Sequence, residues 1–132
     1  MNLDECVPKN KHDHAAVQRA RAVGFPTLNP VLPNLLSWLQ DMNWPVADAV
    51  AELISTSDAE IVPHIRVAFQ SDDAIWKYWI LTQLCPKLSP VILAELRPDI
   101  EKLAANATPA DRIEDVDAAA NDLLSWTFTR EA

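Results

Sequence analysis

The sequence predicts an all-helical protein, and three observations support this. The chain contains one glycine and ten prolines, which disfavours tight hairpins because their turns need residues with positive φ angles. Apolar residues recur at spacings of three and four along most of the chain, the period of a helix with one buried face. Prolines and capping residues divide these stretches into segments of helical length. We therefore expect about seven helices and no strand.

The first predicted helix occupies residues 14–23. Asp13 is placed to cap its N-terminus, because a carboxylate in that position accepts hydrogen bonds from unpaired backbone N–H groups. Gly24 is placed to end the helix with a positive φ angle. Residues 1–12 are expected to form an N-terminal arm, and residues 25–30 to connect the first helix to the second.

The second to fifth helices are predicted from apolar spacing between breaks. Pro45 opens the third helix, Asp58 is placed to cap the fourth, and Asp72 or Asp73 to cap the fifth. The fifth is apolar on almost every side, so we expect it to lie between other helices. These four helices are predicted over residues 30–41, 45–55, 58–70 and 74–85.

Two further helices are predicted in the C-terminal third of the chain. Pro90 starts one of them, which Pro98 is expected to bend or interrupt before Ala105. Thr108 and Pro109 start the last helix with a capping side chain and a proline in the first helical position. One face of that helix is predicted to be apolar and another acidic. The apolar face carries Ile113, Val116, Ala120 and Leu123, and the acidic face carries Asp111, Glu114, Asp115 and Asp122.

A short proline-centred sequence occurs three times, at residues 32–35, 62–65 and 97–100. The prolines are 30 and 35 positions apart, within or just below the period of helical solenoids. An acidic turn follows in phase in the first two copies. Each unit is interpreted as two helices joined by such a turn, with the third copy as a degenerate terminal unit. This predicts a single HEAT-like α-solenoid domain over residues 1–132.

Three longer stretches carry a family resemblance: residues 8–13 (PKNKHD), 35–47 (LLSWLQDMNWPVA) and 71–79 (SDDAIWKYW). On these stretches the chain resembles an uncharacterised, mostly bacterial family, a domain of unknown function of similar length. The resemblance covers nearly the whole chain and is loosest after Pro98. It implies a compact HEAT-like helical fold, and it implies no activity and no catalytic residues.

The sequence predicts no catalytic residue, cofactor or metal site. Gly24 alone cannot supply a phosphate-binding loop, a dinucleotide fingerprint or a nucleophile elbow. Cys6, His12 and His14 have a spacing that metal sites use, but a fourth ligand is missing. Cys85 ends an apolar segment and is expected to be a small buried apolar side chain.

The charge of the chain indicates what kind of partner it prefers. The net charge is −8, which repels nucleic acid and anionic membranes and attracts basic proteins. The first twenty residues carry several charges, unlike a signal peptide, and no segment has the length and apolarity of a membrane span. We therefore expect a cytoplasmic protein that is a monomer when free.

Together these observations favour a non-enzymatic protein-binding module. Within this class, the function that we favour is that of a cytoplasmic immunity protein that neutralises a basic secreted bacterial toxin. Two alternatives stay open: a small-ligand-binding or enzymatic domain with a pocket near Trp44 and Trp76, and a structural adaptor in a larger assembly. Trp44 is either a partner anchor or a side chain that packs under its own turn. The predicted partner contacts are Asp41, Asn43, Trp44, Asp72, Asp73, Lys77, Asp111, Asp115 and Asp122.

Overall fold

The computed structural model describes residues 2–128, and all regular secondary structure within that range is helical. The prediction of an all-helical protein is therefore confirmed for this part of the chain, which contains eight α-helices instead of about seven. Met1, at the start of the predicted arm, and residues 129–132 lie outside the described residues. The helices are α1 His14–Val23, α2 Leu32–Leu36, α3 Ala47–Ile54, α4 Ile61–Phe69, α5 Ala74–Trp79, α6 Pro90–Ala105, α7 Pro109–Ile113 and α8 Val116–Phe128.

Helix α1 has the predicted limits and the predicted caps. The Asp13 carboxylate accepts hydrogen bonds from the backbone N–H groups of Lys9 and Ala16, at 3.0 and 3.2 Å. The pKa of Asp13 is lowered from its ordinary value, first of all by the hydrogen bond from Lys9. At the other end Gly24 has a φ of 72°, a backbone conformation that side chains disfavour. Local sequence signals therefore fix both ends of this helix.

The second and fifth predicted helices are helical over their length but irregular. In the second, 3₁₀ turns over Asn29–Val31 and Ser37–Gln40 flank α2, and the Ser37 hydroxyl donates to the carbonyl of Asn34 at 2.6 Å. In the fifth, α5 continues as a π-helical segment, Ile80–Leu84, and a 3₁₀ turn that contains Pro86. Proline has no N–H for the carbonyl four residues earlier, so the regular α-helical ladder cannot continue through this end.

Two details of the C-terminal third differ from the prediction. Of the two effects predicted for Pro98, a bend or an interruption, the interruption is not found: helix α6 runs through Pro98 for 16 residues. Pro98 and the residue four positions before it are both exposed, so water can reach the carbonyl that proline leaves unpaired. The predicted last helix is two helices, α7 and α8, separated at Asp115, which has a φ of 62°. The break turns Ile113 into solvent, where it is 78% exposed, while the other residues of the predicted apolar face are buried.

The helices contact one another in two rows. In one row α2 packs against α4, and α4 against α6; in the other, α1 packs against α3, which contacts the π-helical segment, and that segment contacts α8. Contacts of α2 with α3, α4 with α5 and α6 with α8 join the rows. A single cluster of buried apolar side chains draws on both rows. Its largest fully buried members are Leu28, Leu32, Leu35, Leu36, Leu39, Ile54, Ile61, Ile65, Ile80, Leu81, Leu84 and Leu96.

Candidate functional site

A shallow groove lies where the start of α5 meets α7. Its volume is about 340 Å³. Two of the residues that line it are isoleucines, and all of its charged residues are acidic. We call it the acidic groove, and its lining residues are Asp72, Asp73, Ala74, Ile75, Ala110, Ile113 and Glu114.

Helix caps build both sides of the acidic groove. On one side the Asp73 side chain accepts the backbone N–H of Trp76 at 3.0 Å, which starts α5. On the other side Thr108 and Asp111 form a capping box at the start of α7, in which each side chain accepts a hydrogen bond from the other's backbone N–H. The predicted start signals at Asp73 and Thr108 are therefore confirmed, and they place two acidic segments of the sequence side by side.

A buried ion pair joins α5 to α7 beside the acidic groove. The Lys77 Nζ atom donates to both carboxylate oxygens of Asp111, at 3.0 and 3.2 Å. The two side chains are only 5% and 3% exposed. Their burial corrects the expectation that Asp111 lies on an exposed acidic face of the last helix. Lys77 and Asp111 hold α5 to α7 instead of presenting charge at the surface.

The two isoleucines of the acidic groove are exposed. Ile113 is 78% exposed and Ile75 is 46% exposed, although both are large aliphatic side chains. Burying such side chains against a partner removes apolar surface from water, which is the main favourable contribution to most protein association. Neither isoleucine is among the partner contacts predicted from the sequence. Ile113 was assigned to the apolar face of a continuous helix, because no glycine or proline near Asp115 predicts that the helix breaks there.

A deeper cavity of about 530 Å³ adjoins the acidic groove. It shares Asp72 and Ala110 with the groove, and the Lys77–Asp111 pair forms part of its wall. The ends of α4 and α6 supply most of the remaining wall. Asp99, also in the wall, pairs with Arg66 at 3.0 Å, so both buried or half-buried carboxylates here already have cationic partners.

The remaining predicted contacts lie outside the acidic groove. Asp41 and Asn43 belong to the turn after α2, where the Asp41 carboxylate accepts the backbone N–H of Asn43 at 2.9 Å. Asp115 is exposed at the junction of α7 and α8. Asp122 is exposed on α8 and lines a separate apolar cavity of about 330 Å³ beside Trp126. Of the nine predicted contacts, the lining of the groove contains Asp72 and Asp73, which are already neighbours in the chain.

The tryptophans mostly serve the fold. Trp44 is partly buried, and its ring meets that of Trp38 edge to face at 5.2 Å, a favourable aromatic geometry. The indole N–H of Trp76 donates to the Leu36 carbonyl at 3.1 Å, which ties α5 to the end of α2. Neither Trp44 nor Trp76 lines the cavities described here, so these cavities do not include the predicted pocket beside them.

Cysteine and histidine do not assemble a metal site in the part of the chain that the structure describes, where no group of three or more potential ligands is found. His12 and His14 are exposed beside the cap of α1, and Cys6 is buried. Cys85 is also buried, as predicted. Burial raises the pKa of its thiol to about 12, because an apolar surrounding disfavours the thiolate.

Between residues 2 and 128, none of the helices has the length and apolar character needed to cross a membrane. Comparison with curated proteins finds no match to the chain. A family model does match it, over residues 6–124, and that family is described as a domain of unknown function, DUF5071. The matched region includes every helix of the fold up to most of α8, together with the acidic groove. The chain therefore belongs to the DUF5071 family.

Proposed function

We propose that this protein is a non-enzymatic protein-binding module, in its most specific form a cytoplasmic immunity protein that neutralises a basic secreted bacterial toxin. The observation that carries the proposal is the acidic groove. There Ile75 and Ile113 are exposed between Asp72, Asp73 and Glu114. The exposed isoleucines supply apolar contact area, and the carboxylates favour a partner that carries lysine or arginine beside an apolar side chain.

The charge of the whole chain supports the same partner. A net charge of −8 attracts a basic protein from a distance and raises the rate of productive encounter. The groove then adds a contact of short range. Because the Lys77 ammonium is paired with Asp111 beneath the surface, it does not neutralise the exposed carboxylates of the groove.

We also propose that the helices form a HEAT-like solenoid. The two rows of contacts support this, since α2, α4 and α6 lie in one row and contact α3, α5 and α8, respectively. The three repeated prolines, Pro33, Pro63 and Pro98, are exposed and belong to these same three helices. Stacked helix pairs of this kind expose turns and helix ends on their sides, as the acidic groove does.

The proposal is tested by measuring the affinity of the chain for the product of a neighbouring toxin gene, with surface variants compared. We expect Ile75→Ser/Ile113→Ser to weaken binding by about thirty-fold or more, the effect of removing an apolar anchor. The matched control is Val67→Ser/Val91→Ser, since these valines are 64% and 72% exposed and lie outside the groove. The control is expected to bind like wild type. Equal losses for both double variants, or none for either, would contradict the assignment of the groove.

A further inference from the structure

The short segment that carries α7 is anchored to the protein mainly at its two ends. Ala107, just before it, is 7% exposed, and Val116, just after it, is fully buried. Between these two anchors lie the cap residue Thr108, helix α7 and the two residues that lead into α8. We call residues 108–115 the α7 strap. How the strap is held between its anchors determines whether it can move separately from the other helices.

Burial of apolar side chains does not hold the α7 strap in place. Its one buried residue is Asp111, whereas Ile113, its large apolar side chain, is 78% exposed. Each of the other α-helices between residues 2 and 128 buries at least one apolar side chain. Since the burial of apolar surface is the main favourable contribution to folding, the strap lacks the interaction that fixes the other helices.

The buried ion pair holds the strap instead. The Lys77 ammonium group donates to both carboxylate oxygens of Asp111, and in the described part of the chain this pair is the hydrogen-bonded link between the strap and helices α1–α6. The other hydrogen bonds of the strap lie within it, as in the capping box, or lead into the first turn of α8, where the Asp115 carbonyl accepts the Ala119 N–H at 2.9 Å. Separation of one ion pair therefore releases α7 from α5.

Two features reduce the cost of separating the pair. Both charged side chains line the cavity of about 530 Å³, and once the strap moves they regain the hydration that burial removed, which offsets part of their lost attraction. The backbone of Asp115 has a φ of 62°, a conformation that is disfavoured for residues with a side chain, although less so for aspartate. Detachment of the strap lets this residue relax, so Asp115 is placed to act as its hinge.

From these observations we infer that the α7 strap detaches from α5 as a unit while helices α1–α6 and α8 stay folded, and that the Lys77–Asp111 pair is the latch that keeps it attached. Detachment removes one side of the acidic groove, because Ala110, Ile113 and Glu114 line that side. A partner that binds the groove therefore binds the attached state and stabilises it. This consequence for the groove rests on the proposed function, whereas the latch itself does not.

The test uses the full chain without a partner and follows the opening in two ways. Amide hydrogen exchange reports on the backbone of the strap, and acetylation of the Lys77 amine, located by mass spectrometry, reports on the ion pair. We expect the two protection factors to agree within about three-fold, to be insensitive to urea below the unfolding transition, and to lie about ten-fold or more below that of the Leu123 amide in α8. If Lys77 and the strap become accessible only in parallel with Leu123 as urea is raised, the strap opens only with the whole protein and the inference is wrong.

Matched variants show whether the ion pair is the latch. Asp111→Asn should raise Lys77 acetylation by about thirty-fold or more, because the attached state then holds an ammonium group without its counter-charge. The control is Asp99→Asn, which removes a carboxylate from the wall of the same cavity and breaks its pair with Arg66. It should leave Lys77 acetylation within about two-fold of wild type, because a change in global stability does not alter a local opening. Equal increases in both variants would overturn the role of the pair, and the wild-type comparison stands without either variant.

Discussion

Lys77 is a charged residue that the fold keeps in its interior. The whole lysine is 4% exposed, Asp111 is 2% exposed, and the two form a close ion pair. Removing two charges from water has a cost that their attraction offsets only when the geometry is good. Here both carboxylate oxygens accept from the ammonium group, and one of them also accepts the Thr108 N–H. The pair therefore fixes how α5 meets α7 and so positions the acidic groove.

We expect the protein to be destabilised severely when either side chain of this pair is replaced alone. Lys77→Met and Asp111→Asn should each lower the free energy of unfolding by about 3–5 kcal/mol, because each leaves a buried group without its partner. The double variant should lose less than the sum of the two. Urea denaturation of all four proteins measures this coupling. Strictly additive losses would show that the two side chains do not stabilise each other.

At the residue scale, the sequence predicts local interactions better than distant ones. Asp13, Asp73 and Thr108 cap helices as predicted, since a cap depends on two or three neighbours in the chain. The pairing of Lys77 with Asp111 joins positions 34 apart, and nothing in either neighbourhood specifies it. That is why Asp111 was predicted at the surface and is found in the interior.

Among the helices, prolines in similar sequences have different structural positions. Pro63 is the third residue of α4, where backbone N–H groups have no partner within the helix. Pro98 lies in the middle of α6, where it removes a hydrogen bond and its ring crowds the preceding turn. The three repeated prolines therefore do not mark equivalent points of their helices.

Replacing these two prolines by alanine should have effects of opposite sign. Pro98→Ala restores an N–H group inside α6 and should stabilise the protein by about 1–3 kcal/mol. Pro63→Ala gains no hydrogen bond within the helix and increases the conformational entropy of the unfolded chain. It should therefore destabilise the protein by less than about 1 kcal/mol. Thermal and urea denaturation of both variants provide the comparison. Destabilisation by Pro98→Ala would show that the ring itself is needed at that position.

At the element scale, helix existence was predictable and helix regularity was not. Apolar spacing located the helical segments that contribute to the core, including the irregular stretches around α2 and after α5. The break at Asp115 and the continuity through Pro98 depend on which side of each helix faces solvent. The exposed side is determined by the packing of α8 against α6 and α7, which the local sequence does not specify.

At the scale of the whole molecule, net charge and exposed apolar side chains affect different steps of the proposed binding, association and dissociation. The net charge of −8 acts over distances close to the Debye length, so for the proposed basic partner it affects the rate of arrival. If the partner binds at the acidic groove as proposed, the exposed isoleucines act only on contact and therefore affect how long the partner stays. The long-range attraction can be predicted from the sequence, because the charged residues can be counted. The exposed isoleucine pair could not be predicted from the sequence, because Ile75 and Ile113 come together only in the folded chain.

The rate of association should consequently depend on salt, whereas dissociation should depend on the isoleucines. Against the product of a neighbouring toxin gene, raising the salt concentration from about 0.02 to 0.5 M should slow association by about ten-fold or more, through screening of long-range attraction. Asp72→Asn/Glu114→Gln should reduce this salt dependence and slow association at low salt. Ile75→Ser/Ile113→Ser should leave association nearly unchanged and speed dissociation. Stopped-flow or biosensor kinetics across the salt series distinguish these effects.

An association rate that does not change with salt would rule out electrostatic capture. A dissociation rate that does not change when the isoleucines are replaced would show that the contact lies outside the acidic groove.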